Sequence, residues 1–224
     1  MRVYLSSFRL GSDPQALLDL MRRAGSVRVI GNALDAEDPA TRAERVDEEL
    51  ERLTAIGLDA QELDLRLYHD RPDDLAAAFS TAELVWLRGG NVFVLRHALA
   101  RTSADMMLVD LLERDEVVCG GYSAGPCVLG PTLRGLELVD DTADVRDLWH
   151  AEPIWDGLAV VDYAIVPHWQ SPGHPESERM NRVVASHLAT GTPHVKLRDG
   201  EALVIRGEIT ELRGAPISDV DADT

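Results

Sequence analysis

The sequence predicts an α/β fold, a mostly parallel sheet in a three-layer α/β/α arrangement, and three observations predict it. Short apolar runs alternate with stretches of helical spacing along the chain. The runs are nearly continuous rather than alternating apolar and polar, as strands covered on both faces must be. At 224 residues and 45% hydrophobic content the chain can bury one large core. No linker or repeat divides it, so residues 1–224 read as a single domain.

Each element follows in order. RVYLSS is the first strand. PQALLDLMRRAG is predicted helical because Asp13 precedes it as a cap, Pro14 suits a first turn and Gly25 ends it. SVRVIGN is the second strand. ATRAERVDEELERLTAIG carries Ala43, Val46, Leu50, Leu53 and Ile56 at spacings of three and four, which predicts a helix with a charged outer face. RPDDLAAAFSTA is a further helix, LVWLRG a strand, and NVFVLRHALARTSADMMLVDLLERD a helix broken near Thr102. EVVCGGY is a strand with a helix behind it. Asp140 to Glu152, acidic and mixed in composition, reads as one long loop. AVVDYAIVPH is the next strand, ESERMNRVVASHLATG the last helix, and EALVIRGEITELRG an antiparallel hairpin turning near Gly207. Sheets of this kind bind ligands beyond the carboxyl ends of their strands, so the loops after strands hold the candidates.

Charge and composition exclude several classes. A formal net charge of -17 should repel phosphate backbones and anionic membranes, so neither nucleic acid nor a membrane is expected as partner. The chain starts without a signal-shaped segment and has no run long enough to span a bilayer, which points to the cytoplasm. Its two cysteines, Cys119 and Cys127, suit small buried hydrophobes better than a disulfide scaffold or a zinc site. No metal or cofactor is expected. A homodimer is compatible with the sequence but not dictated by it.

One loop carries chemistry. Gly121, Ser123 and Gly125 form G-x-S-x-G between a predicted strand and helix, the setting of a nucleophile elbow that lifts a hydroxyl above the sheet. The competing role for Ser123 is a helix cap. A serine nucleophile needs a base. His168 in IVPHW ends a predicted strand and so falls at the same sheet edge, whereas His69, His97, His150, His187 and His194 lack that context. His174 stands just before the last helix, as a pocket or capping residue. A carboxylate must hold the imidazole in its productive tautomer, and Asp199, Asp140 and Asp141 all qualify. For the oxyanion, the Ala124 amide is one donor, and the Gly89-Gly90-Asn91 turn supplies a second.

RGGNVF, GYSAG and VPHW, in that order on an alternating chain, closely resemble peptidase E, the aspartyl dipeptidase family of serine peptidases related to cyanophycinase. The resemblance implies a fold like that of class I glutamine amidotransferases, with serine where those enzymes have cysteine. It implies Ser123 as nucleophile, His168 as base and Gly90 as oxyanion donor. Asp199 matches the family's acid, a glutamate there, and Asp140 or Asp141 matches a second position only with a gap; Asp199 is preferred, with Asp140 in reserve. It places Asn91 and Arg179 at the substrate, Arg179 gripping the side-chain carboxylate of an N-terminal aspartate, although ESERMNR also reads as a solvated helix face with Arg182 on it. Pro126-Cys127 departs from the family pattern after SAG. The implied activity is hydrolysis of short acidic peptides, most simply Asp-X dipeptides. The alternatives are β-aspartyl peptide hydrolysis, as in cyanophycinase, and a non-catalytic binding protein on the same fold.

Overall fold

A computed structural model describes residues 1–22 and 25–217. Its centre is a seven-stranded sheet. In chain order the strands are β1 (Arg2–Ser6), β2 (Ser26–Ile30), β3 (Asp59–Glu62), β4 (Leu84–Leu87), β5 (Val118–Tyr122), β6 (Ala164–Val166), β7 (His194–Lys196), β8 (Ala202–Arg206) and β9 (Ile209–Arg213). The sheet runs β3-β2-β4-β5-β1-β8-β9, parallel from β3 to β1, with the β8–β9 hairpin added antiparallel against β1. The helices are α1 (Gln15–Leu18), α2 (Pro39–Ala55), α3 (Pro72–Ser80), α4 (Val92–Thr102), α5 (Ala104–Glu113), α6 (Ala124–Leu129), α7 (Ala143–Trp149) and α8 (Ser177–Thr190).

Alternation along the strands divides the apolar side chains between two cores. Val85 and Leu87 of β4 join the larger one with α3 to α6 and α8, while Leu84 and Trp86 join the other with α1 and α2. Both faces of β4 and β5 are covered, which is why LVWL and VCGGY carry almost no polar residues, whereas the edge strands β3 and β9 are polar and largely exposed. No helix among the described residues is long and apolar enough to cross a membrane.

Four expectations need correction. The helix read from Pro14 to Gly25 is regular only over Gln15–Leu18. Arg2 takes the Leu20 carbonyl and Glu83 takes the Arg22 amide, so those groups cannot extend a helical ladder; Arg23 and Ala24 lie outside the described residues. The helix read from 40 to 57 is α2, but its buried face runs through Arg42, Val46, Glu49 and Leu53, and Ala43 is exposed. Arg42 and Glu49 can turn inward because Asp35 and Glu62 pair with the first, and the Trp86 indole donates to the second at 2.7 Å. The acidic loop contains α7, which buries Val145. The strand read from Ala159 is ordered as β only at Ala164–Val166, and it pairs with β7 in a separate two-stranded sheet rather than entering the main one. The break near Thr102 is real: Ser103 adopts a left-handed conformation between α4 and α5.

Candidate active site

At the carboxyl ends of β1, β4 and β5 the chain opens into a cleft of about 1270 Å³. Ser123, Gly89, Gly90, His168, His174 and Asp199 all line it. Ser123 sits at φ 54°, ψ -112°, strained for a residue with a β-carbon, and its side chain makes no capping bond to α6. The capping role is therefore unfilled. A β-carbon on either Gly121 or Gly125 would strike the Leu87 carbonyl at the end of β4, so the two glycines of the motif are fixed by close approach of β5 and α6 to that strand. Gly90 is equally constrained: at φ +144° it passes 2.7 Å from the Ala33 carbonyl, measured from where a β-carbon would stand. Among the described residues neither the Gly90 nor the Ala124 amide has an acceptor. Ala124 opens α6 directly behind Ser123, and Gly90 lies on the turn between α4 and β4, the strand that neighbours β5.

The histidine and its acid come from the other side of the cleft. His168, buried and held at φ 55°, places Nδ1 2.7 Å from Asp199 Oδ1. Burial pushes the Asp199 carboxyl up, but the hydrogen bond and charge of His168 and the Ser7 hydroxyl together hold it below the usual carboxylate range. Ser7, at the end of β1, ties the parts together. Its carbonyl accepts the Ser123 amide at 3.1 Å, its hydroxyl donates to Asp199 at 2.7 Å, and the same oxygen accepts the His168 amide at 2.8 Å. His174 stacks flat on His168, ring centroids 3.6 Å apart and 4° from parallel. Burial, with His168 adding to the effect and Asp199 opposing it, pushes His174 down to about 4. Its Nδ1 accepts the Glu176 amide, which leaves the ring proton on Nε2. His168, His174 and Asp199 bring metal-ligand atoms within 4.8 Å of one another. That closeness already has a cause in the His168–Asp199 hydrogen bond and the stacked rings.

The family model for peptidase family S51 matches residues 14–213. The chain belongs to that family. Among curated relatives, a peptidase E from Streptomyces coelicolor is 30% identical over 159 residues, covering 68% of this chain and 60% of its own. An uncharacterised peptidase from Listeria innocua is 26% identical over 162 residues, covering 71% and 73%. A crystal structure of a candidate peptidase E from Listeria monocytogenes superposes with a TM-score of 0.77 at 22% identity, covering 96% of this chain and 98% of that one. The likeness to peptidase E read from the sequence therefore holds for family and fold alike.

Within this S51 fold, three candidates read from the sequence stand elsewhere. Asn91 is not among the described residues that line the cleft. Its Oδ1 accepts from the Phe93 and Val94 amides and its Nδ2 donates to the Asp141 carbonyl and Asp144, so it caps α4 and ties it to α7 with its hydrogen-bonding capacity used up. Arg179 donates to the Val139 carbonyl at 3.1 Å and is not among the described residues lining the cleft. Asp140 accepts the Val92 amide at 2.8 Å, and among the described residues no hydrogen bond or ion pair joins it to His168. Residues that sequence reasoning passed over include Ser7, Arg9, Arg88 and Glu176, whose carboxylate stands 4.0 Å from His168 Nε2. Two adjacent serines after the first strand gave Ser7 no mark of its own.

Two expected outcomes follow from these placements. Ser7→Ala should lower peptide turnover about tenfold or more, because a hydrogen bond to a buried charge is lost beside His168; Ser7→Thr, which keeps the hydroxyl, should recover part of the rate. An unchanged rate in Ser7→Ala would show that the network tolerates its loss. For Asp140, burial pushes the carboxyl up to about 7, with Glu176 and Asp144 adding to the rise and the Val92 amide and Arg179 opposing it. An acid raised in the folded state binds more protons folded than unfolded between about pH 4 and 7, so its contribution to stability falls as pH rises through that window. Asp140→Asn keeps an acceptor for Val92. It should melt at least ~2 °C higher than the parent at pH 8, with no such gain at pH 4, as read by calorimetry. Equal melting temperatures at both pH values would contradict a strained carboxylate.

Proposed function

We propose that this S51 peptidase is a serine-type dipeptidase acting on short acidic peptides, with Ser123 as nucleophile, His168 as base and Asp199 as the acid that orients it. The observation that carries the reading is the pairing of an uncapped, strained serine on its elbow with a histidine whose Nδ1 is held by Asp199 in the same cleft.

The chemistry follows from the positions. Asp199 accepts the Nδ1 proton of His168, which leaves Nε2 as the acceptor for the Ser123 hydroxyl proton. Attack of Oγ on the peptide carbonyl forms the C–O bond and moves the carbonyl electrons onto oxygen, whose charge the Gly90 and Ala124 amides, without an acceptor among the described residues, would receive. His168 returns the proton to the leaving amine as the C–N bond breaks. Water, deprotonated by the same imidazole, then releases the acyl group from Ser123. His174, neutral at neutral pH, backs the His168 ring without adding a competing charge. The cleft's four arginines, Arg9, Arg45, Arg52 and Arg88, are matched by four acids, Glu44, Glu48, Glu176 and Asp199. Arg45 and Arg52 are paired with glutamates, so the attraction for an acidic peptide rests on Arg88, which has no carboxylate partner among the described residues.

The test is covalent. A fluorophosphonate probe should label the protein once, and peptide mapping should put the adduct on Ser123. Absence of labelling, with an active serine hydrolase labelled in parallel, would return the chain to the binding-protein reading.

A further inference from the structure

We propose that Arg88 is the anchor for a carboxylate of the peptide substrate, the place that family resemblance gives to Arg179. The proposal rests on the peptidase reading for the identity of the ligand as a short acidic peptide, though not for the binding itself. Arg88 directly follows β4. It is only 8% exposed, and what remains accessible opens on the cleft that holds Ser123. A cation held that far from water is costly unless it is paired, so its partners matter.

Those partners are neutral. Nε donates to the Arg45 carbonyl at 3.3 Å and Nη1 donates to the Gly89 carbonyl at 2.7 Å. Among the described residues Arg88 forms no ion pair with a carboxylate, and its Nη2 makes no hydrogen bond yet is not sealed inside the protein. Its ζ carbon lies 5.9 Å from the centre of the Tyr122 ring, which orients the plane from one side. Two other arginines of the cleft are already spent. Arg45 pairs with Glu37, and Arg52 pairs with Glu48 at 3.1 Å and Glu49 at 3.5 Å. Arg9 lies over the Phe8 ring, 4.8 Å from its centre.

Position adds to chemistry. Gly89, whose carbonyl Arg88 holds, packs so closely on the elbow that a β-carbon there would stand 3.0 Å from Ser123 Cβ. Gly90, the next residue, carries the oxyanion amide. The guanidinium is thus fixed to the same turn that would hold the reacting carbonyl. A dipeptide spans only about 7 Å when extended, so its carboxylates fall close to the carbonyl that meets Ser123. The two N–H groups of Nη2 and the second of Nη1 offer the planar fork that grips a carboxylate at two points.

Ser123→Ala removes turnover and lets binding be measured by calorimetry with three probes: Asp-Leu, Asn-Leu and Asp-leucinamide. Loss of the carboxylate that Arg88 holds should weaken binding about tenfold or more. Weak Asn-Leu with normal Asp-leucinamide identifies the side-chain carboxylate, and the reverse identifies the C-terminal one. Adding Arg88→Met should erase whichever difference is found. If that variant does not fold, Arg88→Gln, closer in polarity, carries the same expectation. Equal affinity for the three peptides, no detectable binding, or a preference that survives removal of Arg88 overturns the proposal. Loss of the preference in Arg179→Met with its retention in Arg88→Met moves the anchor to α8. Carboxylate-dependent binding by Ser123→Ala with no peptide turnover by the parent would sink the peptidase reading and leave Arg88 standing; turnover without any carboxylate preference does the opposite.

Discussion

Ser123→Ala is expected to reduce kcat/KM for a cleaved dipeptide by on the order of 10⁴-fold or more and to abolish fluorophosphonate labelling, while melting within ~2 °C of the parent. The size of the loss follows from the division of labour at the elbow. Without Oγ no acyl-enzyme can form, and what remains is the modest help that the Gly90 and Ala124 amides give to direct attack by water. The small effect on stability follows from what the side chain does not do. Ser123 makes no capping bond to α6, and its backbone amide is held by the Ser7 carbonyl whatever the side chain. The strain at φ 54° is carried by the glycines on either side, both fixed against the Leu87 carbonyl, so alanine inherits the same turn. Steady-state kinetics with the variant purified free of host peptidases reads the outcome. Residual activity within tenfold of the parent would remove Ser123 from the chemistry.

Much of the scaffold was legible because it is written in short-range patterns. Nearly continuous apolar runs mark β1, β2, β4 and β5, and the G-x-S-x-G spacing marks the one place where a strand, a turn and a helix must crowd together. β3 escaped notice because DAQE is an edge strand with a largely wet surface and needs no apolar signature. His168 was found for a reason only half right. It does reach the cleft from the end of a strand, but β6 lies outside the main sheet, and the strained φ of 55° with the bond from its amide to Ser7 brings the ring into place. Arg179 and Asn91 show the opposite limit. Helix position and motif spacing say which residues lie near a site, but not which way they turn. The carbonyl of Val139 and the amides of α4 claim those two side chains first. Arg88 was hidden for the same reason, since burial without a carboxylate partner is visible only in three dimensions.

The ranking of the carboxylates gives the second large effect. His168→Ala should lower kcat at least ~10³-fold, because a base and the nucleophile it activates act as a unit. Asp199→Asn should cost a comparable ~10³ to 10⁴-fold, chiefly in kcat: an amide facing Nδ1 can donate rather than accept, which favours the tautomer with its proton on Nε2, where it cannot receive one from Ser123. Asp140→Asn should stay within about tenfold of the parent, since its contact with Val92 survives the change and, among the described residues, no hydrogen bond or ion pair joins it to His168. Stability offers an independent reading of the same pair. Asp199 is held below the usual carboxylate range when folded, so its contribution is present above about pH 4 and is lost as pH falls through the folded value. Asp199→Asn should therefore lower the melting temperature at pH 7 and lose that effect in strong acid, whereas the advantage of Asp140→Asn over the parent should grow as pH rises from about 4 through 7. If instead Asp140→Asn were the slower enzyme and Asp199→Asn nearly normal, the hydrogen bond between Asp199 and His168 would be a structural tie only, and the acid would belong to the segment before α7.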